Sequence, residues 1–342
     1  EVDTPALVLD LDALERNIAR MAEALQGTGV RLRPHAKSHK CAEIAKRQIA
    51  AGAIGVCCQK VSEAEALVAG GVADVLVTNE IVWKGKLERL ARLAREAKVG
   101  VLADDAGNVA ELDAAARAAG VRLEVLVELN VGADRCGVGT GEEALALARR
   151  ISACRNLRFG GLHAYHGAAQ HLREPEKRHA AIAAATEKAR QAKVLIEKAG
   201  IACATVTGAG TGTFLLETGS RVFNEIQPGS YVFMDADYGR NAWAEGWPRF
   251  EQSLFVLATV MSVPAPGRAV VDAGLKASSV DSGMPLVHAR PGVEYVKASD
   301  EHGVLRIAPG AKAPKLGEKL LLVPGHCDPT VNLYDGFVCV RG

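Results

Sequence analysis

The segment RLRPHAKSHKC, residues 31–41, places Lys37 between His35 and His39, with Arg31 and Arg33 upstream and Lys40 beyond. Like charge and partial burial both disfavour an ammonium, so an amine in such a setting sheds its proton and becomes a nucleophile able to form a Schiff base. A phosphate-binding or merely solvated basic turn accounts for the same residues equally well. The loop GAGTGTF, residues 208–214, forms a second group. Gly208, Gly210 and Gly212 let backbone N–H groups approach an anion, and Thr211 and Thr213 can add hydroxyl donors. A reactive lysine together with a phosphate nest suits pyridoxal phosphate, although glycine-rich turns are common. A third group is VPGHCDP, residues 323–329. If this stretch is extended, His326 and Asp328 project from one face and Cys327 from the other, so the i, i+2 pair can chelate a metal. One imidazole with one carboxylate is a hard donor set that favours Mn²⁺, Mg²⁺ or Co²⁺ over a closed zinc site. The other reading is a capped turn ahead of Pro329 with a casual histidine. SDEHG, with Asp300 and His302, offers further ligands of lower specificity.

Positioning these groups falls to short apolar runs rich in Val, Ile and Leu that alternate with Ala-, Glu- and Arg-rich stretches of helical period. The strand-like runs are VRLRPHA, AIGVCCQ, DVLVTN, VGVLADD, LEVLVELN, RFGGLHAYHG, ATVTGAG and QPGSYVFM. The gaps read mostly as helices, the longest, REPEKRHAAIAAATEKARQAKVLIEKAG, closing on Gly200 as a helix stop. Eight such units predict an α/β fold, a TIM-type (β/α)8 barrel over residues 12–240, which takes about 250 residues in general. After about residue 245 the runs become short, alternating and separated by Gly and Pro, which predicts an antiparallel β domain over residues 241–342. Residues 1–11, with the run TPALVLD, are expected to join it. Chemistry in these barrels collects at the C-terminal ends of the strands. There the sequence places His35 and Lys37, Gln59, Thr78 and Asn79, Asn130 with Arg135, Tyr165 and His166 with His171, and the glycine loop.

Composition narrows the function. With 41 Lys and Arg against 40 Asp and Glu the net charge is +1, and no basic run stands out, so a nucleic-acid partner is not expected. No 18-residue apolar run is present, and the chain opens on EVDTPALVLDLD instead of a basic segment followed by an apolar one. A soluble protein with no membrane partner is expected. Eight cysteines, two of them the adjacent Cys57 and Cys58, do not suggest a disulfide framework, which fits a cytoplasmic setting.

Taken together, RPHAKSHK, CCQKVSEAEA, DVLVTNE, GADRCGV, AYHGAAQH, GAGTGTF, MDADYGR, VVDAGLKA, SDEHG and PGHCDPT resemble the D-threonine aldolase family. These are pyridoxal-phosphate enzymes of the alanine racemase-like fold type, related to 3-hydroxy-D-aspartate aldolase and eukaryotic D-serine dehydratase. The resemblance runs from DTPALVLDLD to GHCDPT, nearly the whole chain. It implies that Lys37 is the Schiff-base lysine, that Gly208 to Thr213 hold the phosphate, and that Arg135 sits by the cofactor's phenolic oxygen with Tyr165 near its ring. Gln59 and Thr78 are expected among the cofactor-binding residues. His326 and Asp328 would hold a divalent metal, Mn²⁺ foremost, with Asp300 an outer member of that site. His171 would be the base, acting directly or through a metal-bound water. The implied reaction is retro-aldol cleavage of a small D-3-hydroxy-amino acid, D-threonine or D-allo-threonine, to glycine and acetaldehyde, by an aldehyde-lyase expected to be a homodimer. The first alternative is 3-hydroxy-D-aspartate cleavage to glycine and glyoxylate. The next is dehydration of D-serine or 3-hydroxyaspartate, whose enzymes carry His-x-Cys where this chain has His-x-Asp. Further alternatives are a noncatalytic pyridoxal-phosphate carrier and a metal-dependent aldolase without an organic cofactor.

Overall fold

A computed structural model describes residues 2–342. The chain forms two compact units. One comprises Ala22–Gly229 and Ala242–Trp247, the other the residues up to Met21, Ser230–Asn241 and Pro248–Gly342.

The first unit is built on eight parallel strands. In sheet order they are Arg31–Leu32, Glu225–Ile226, Thr205–Gly208, Leu157–Ala164, Leu123–Glu128, Lys98–Ala103, Asp74–Glu80 and Val56–Cys58. The two end strands meet through a parallel bridge between His35 and Cys57 and through Ile54 N–H to Leu32 O (2.9 Å) and Cys57 N–H to Pro34 O (2.8 Å). The near-continuous apolar runs follow from burial on both faces. Cys57, Leu76, Leu102 and Leu126 form one cluster, while their alternate neighbours Val56, Val75, Val101 and Val125 belong to the larger core with the helices. The expected eighth strand, QPGSYVFM, is not one. The strand lies just ahead at Glu225–Ile226, and Ser230–Val232 is a 3-10 turn. Pro228 has no N–H to give a ladder, so the strand ends there with only the Pro228 carbonyl still accepting, from His35 N–H (3.1 Å).

The helices start and stop where local chemistry directs. Asp105 caps Ala106–Ala119 by accepting from Asn108 N–H (2.8 Å), and Gly120 ends it in the left-handed region at φ 67°. The long helix Pro175–Lys198 carries proline in its first turn and buries Arg178, Ile182, Ala185, Ala189, Ala192 and Ile196 along one stripe.

Arg33, just past the strand Arg31–Leu32, is 5% exposed and donates to Glu225 (3.1 Å) and Asp74 (2.6 Å), the first residues of their strands. Asp74 also pairs with Lys98 (2.8 Å). Truncating one member of such a buried cluster leaves uncompensated charge. Arg33→Ala is therefore expected to destabilise the protein by about 3–5 kcal/mol, read from urea denaturation. A loss below about 1 kcal/mol, the range of exposed pairs, would show that the cluster is solvated.

The second unit is an eight-stranded sheet in which Leu286–Val287, Lys319–Val323, Leu254–Ala265, Arg268–Val271, Gly303–Ile307 and Val293–Ala298 lie side by side, every pairing antiparallel. Ala6–Asp10 pairs antiparallel with Leu254–Ala265 and parallel with Val338–Val340, the one exception to the expected antiparallel pattern. Among the described residues no helix is long and apolar enough to cross a membrane.

Candidate active site

Lys37 sits half-buried on the 3-10 turn Ala36–Ser38, beyond the strand Arg31–Leu32. His35 caps that turn, its Nδ1 accepting the Lys37 backbone N–H (3.3 Å). The Nε2 of His35 lies 2.9 Å from Thr78 Oγ1 and 3.0 Å from Gln59 Nε2, and Thr78 donates to Cys58 O (3.3 Å). Gln59 and Thr78 thus reach the lysine's turn through His35 and tie together the ends of three strands. The other basic residues of the segment are engaged elsewhere. Lys40 pairs with Glu63 (3.5 Å), and His39, 1% exposed, bonds Gln48 (3.3 Å) and Cys41 N–H (3.1 Å). The Arg33 guanidinium is committed to Glu225 and Asp74. The crowd of like charge expected around Lys37 is therefore largely neutralised by pairing.

The glycine loop leaves the strand Thr205–Gly208 with Ala209 in the left-handed region at φ 70°. Its glycines are required by packing. A Cβ on Gly208 would lie 2.4 Å from Ala164 O, and one on Gly212 would lie 2.7 Å from Gln170 O. Gln170 braces the loop, accepting Gly212 N–H (2.9 Å) and donating to Thr213 Oγ1 (2.9 Å). Thr213 in turn donates to Glu217 (2.8 Å), whose carboxyl is pushed up to about 7 by complete burial. The Thr213 hydroxyl is thereby committed to protein partners. Thr211, 1% exposed, has a buried hydroxyl with no partner. That orphaned donor in a cradle that side chains would fill fits a phosphate, so the loop suits pyridoxal phosphate.

Arg135 and Tyr165 come together, the guanidinium 5.8 Å from the ring centroid. Asn130 builds the loop that carries Arg135 by accepting Gly132 N–H (3.1 Å) and Asp134 N–H (3.2 Å). Asn79 donates to Gln59 O (3.3 Å). His166 is held below the usual histidine range by burial and by Lys188. His171 is exposed and ends the 3-10 turn Ala168–His171. Its neighbours are anchored, Gln170 as above and Leu172 and Arg173 through their carbonyls, which accept from buried Arg178 (2.6 and 3.0 Å).

Sequence reasoning missed a buried ion pair inside the barrel. His163 Nδ1 bonds Glu128, and its Nε2 donates to Gln227 Oε1 (3.0 Å). Burial alone would depress the imidazole, but the Glu128 carboxylate outweighs it and raises His163 above its usual range. No periodicity marks either residue, since each lies in an apolar strand run. Glu80, Asp104 and Cys136 also converge, one ligand atom from each lying within 4.8 Å of the others. Burial, then Glu128 and Asp104, raise the Glu80 carboxyl, and burial and Glu80 raise the Cys136 thiol.

In the second unit His326 is extended (φ −143°, ψ 124°), but Cys327 and Asp328 open a short helix, Cys327–Val331. The expected strand-like i, i+2 geometry is thus replaced by a cap and a first helical turn. Buried Asp235 accepts Cys327 N–H (2.9 Å) and fixes that start. The carboxylate in hydrogen-bond reach of His326 is Asp281, its Oδ2 lying 2.8 Å from Nδ1. Burial opposes ionisation of Asp281, yet hydrogen bonds from Ser279 and His326 hold its carboxyl below the usual range. An imidazole engaged through one nitrogen by a carboxylate, with a second carboxylate two residues on, is a donor set that fits a divalent cation. Asp300 and His302 are exposed on the turn after Val293–Ala298.

Residues 9–237 match the family described as Alanine racemase, N-terminal domain, and residues 253–340 match the "Putative serine dehydratase domain". That pairing defines a class of alanine racemase-like barrel with a β domain after it. The chain is 50% identical over 340 residues to a D-threonine aldolase of Arthrobacter sp., covering 99% of this chain and 89% of that protein. It is also 50% identical over 347 residues to a 3-hydroxy-D-aspartate aldolase of Paracoccus denitrificans, covering 100% and 89%. The crystal structure of D-threonine aldolase from Filomicrobium marinum superposes with a TM-score of 0.98 at 52% identity, covering 100% of this chain and 92% of that one. The chain belongs to the D-threonine aldolase family, whose members are aldehyde-lyases.

Proposed function

We propose that the protein cleaves D-threonine and D-allo-threonine to glycine and acetaldehyde, using pyridoxal phosphate and a divalent cation. The observation that carries this reading is the 50% identity, over nearly the full chain, to a D-threonine aldolase. When bound, pyridoxal phosphate supplies an electron sink for the carbanion left at Cα, and a cation at His326 and Asp328 supplies Lewis acidity toward a hydroxyl. The chain's own residues do the rest. Lys37 holds the cofactor through Nζ, Thr211 and the glycine loop hold its phosphate, and Arg135 with Tyr165 hold its ring. A ring nitrogen of His171 takes the proton of the β-hydroxyl as the Cα–Cβ bond breaks, and a proton delivered to Cα completes glycine. The partner-committed hydroxyl of Thr213 and the paired side chains of Gln59 and Thr78 support assigning those three to shaping the pocket.

Equal identity to a 3-hydroxy-D-aspartate aldolase supports a second reading, cleavage of 3-hydroxy-D-aspartate to glycine and glyoxylate. Aspartate at 328, where dehydratases carry cysteine, supports aldol cleavage over dehydration. We extend the proposal to manganese as the cation, a homodimer as the assembly, and the cytoplasm as the compartment, the last supported by eight free cysteines. The test is glycine release by purified protein supplied with pyridoxal phosphate and Mn²⁺. D-Threonine and D-allo-threonine are expected to react and L-threonine to be inert. The ratio of kcat/KM for D-threonine and 3-hydroxy-D-aspartate decides between the two substrates. Comparable cleavage of L-threonine would sink the proposal.

A further inference from the structure

We propose that Asp281 is a positioning residue for the metal site: its carboxylate accepts the Nδ1–H hydrogen bond of His326 and leaves the Nε2 lone pair for a divalent cation. The proposal rests on the reading above that His326 is a ligand, and it assigns a role to a residue 45 positions away that no motif marks. A neutral imidazole has one N–H and one lone pair, so the group that engages the first nitrogen decides which nitrogen can bind a metal. Histidines that hold metals almost always donate their other ring N–H to a carboxylate, a carbonyl or water. Here the partner is at 2.8 Å.

The surroundings hold this pair in place from both sides. Ser279 Oγ donates to Asp281 Oδ1 (2.6 Å) and Ser282 Oγ to Oδ2 (3.2 Å), which fixes the plane of the carboxylate. Fully buried Thr330 accepts Ser279 N–H (3.2 Å) and donates to His326 O (2.7 Å), tying the Asp281 loop to the His326 turn through the backbone. The segments also touch directly. A Cβ on Gly325 would lie 2.0 Å from Gly283 O, so only glycine permits the approach. Arg240 donates to Ser282 O from a third direction. An incidental surface ion pair would need none of these ties.

The experiment uses the holoenzyme, freed of metal by chelation and dialysis, then titrated with Mn²⁺ while free Mn²⁺ is read by electron paramagnetic resonance. Asp281→Ala is expected to weaken Mn²⁺ binding by about 10–100-fold. Asp281→Asn, which keeps an oxygen able to accept the Nδ1–H hydrogen bond, is expected to recover part of that loss. Melting temperature and cofactor absorbance should stay unchanged in both. If Asp281→Ala binds Mn²⁺ as tightly as wild type while His326→Ala does not, the role of Asp281 is overturned and the ligand assignment stands. If His326→Ala itself binds as tightly as wild type, the ligand assignment fails and the proposal fails with it. Affinity lost only in step with melting temperature would mark Asp281 as a scaffold residue and also overturn the proposal.

Discussion

With Lys37 as the proposed covalent anchor, Lys37→Ala is expected to lower turnover of D-threonine by about 10⁴-fold or more, because losing a covalent group abolishes the route and does not merely weaken binding. The fold should survive. The turn Ala36–Ser38 is set by the Lys37 backbone N–H on His35 Nδ1 and by buried Ala36 and Ser38, all of which remain when the side chain is cut back to a methyl group. Lys37→Arg separates the two chemistries that the segment RPHAKSHK allows. Guanidinium keeps the positive charge but stays protonated and offers no nucleophilic amine. If Lys37 served only as a cation for phosphate, the arginine variant would retain much of the activity. If it is the covalent anchor, both variants fail alike, and peptide mapping after borohydride reduction of the wild type finds the cofactor on residue 37. Wild-type turnover by Lys37→Arg would remove the lysine from the chemistry.

Stripping divalent metal with a chelator is expected to stop glycine release while leaving the absorbance of the bound cofactor intact. Lewis-acid stabilisation is worth several kcal/mol, so the loss should reach at least about a hundredfold. Mn²⁺ or Co²⁺ should restore activity best and Mg²⁺ less, since an imidazole ligand suits the transition metals better than magnesium. The cofactor signal is expected to persist because Lys37 and the glycine loop lie in one compact unit and His326, Asp328 and Asp281 in the other. The cluster Glu80, Asp104 and Cys136 is the competing location for a metal. His326→Ala should lose the metal response and Glu80→Gln should keep it. The reverse pattern would move the metal into the barrel, and full activity in protein shown metal-free by elemental analysis would remove it from the reaction.

Features that depend on neighbours along the chain were legible in the residues alone. Alternation of Val-rich runs with helical stretches marked seven of the eight barrel strands, because burial on both faces leaves an apolar run that can be read locally. The change to short alternating runs after residue 245 marked the second sheet, because burial on one face leaves a period-two pattern that is also local. Lys37, GAGTGTF and HCDP stood out because each concentrates its chemistry within a few residues. Tertiary structure alone decided the remainder. It moved the eighth strand to Glu225–Ile226, where pairing with Arg31–Leu32 joins segments nearly two hundred residues apart. It placed Arg33 against Glu225 and Asp74, Thr78 and Gln59 against His35, and Asp281 against His326. In Gln170 and Glu217 it supplied the brace beneath the glycine loop. These partners are polar residues with no periodic signature, and they meet only because barrel closure and sheet pairing bring distant segments to hydrogen-bonding distance. A hydrogen bond depends on separation in space, and a single sequence records separation only along the chain.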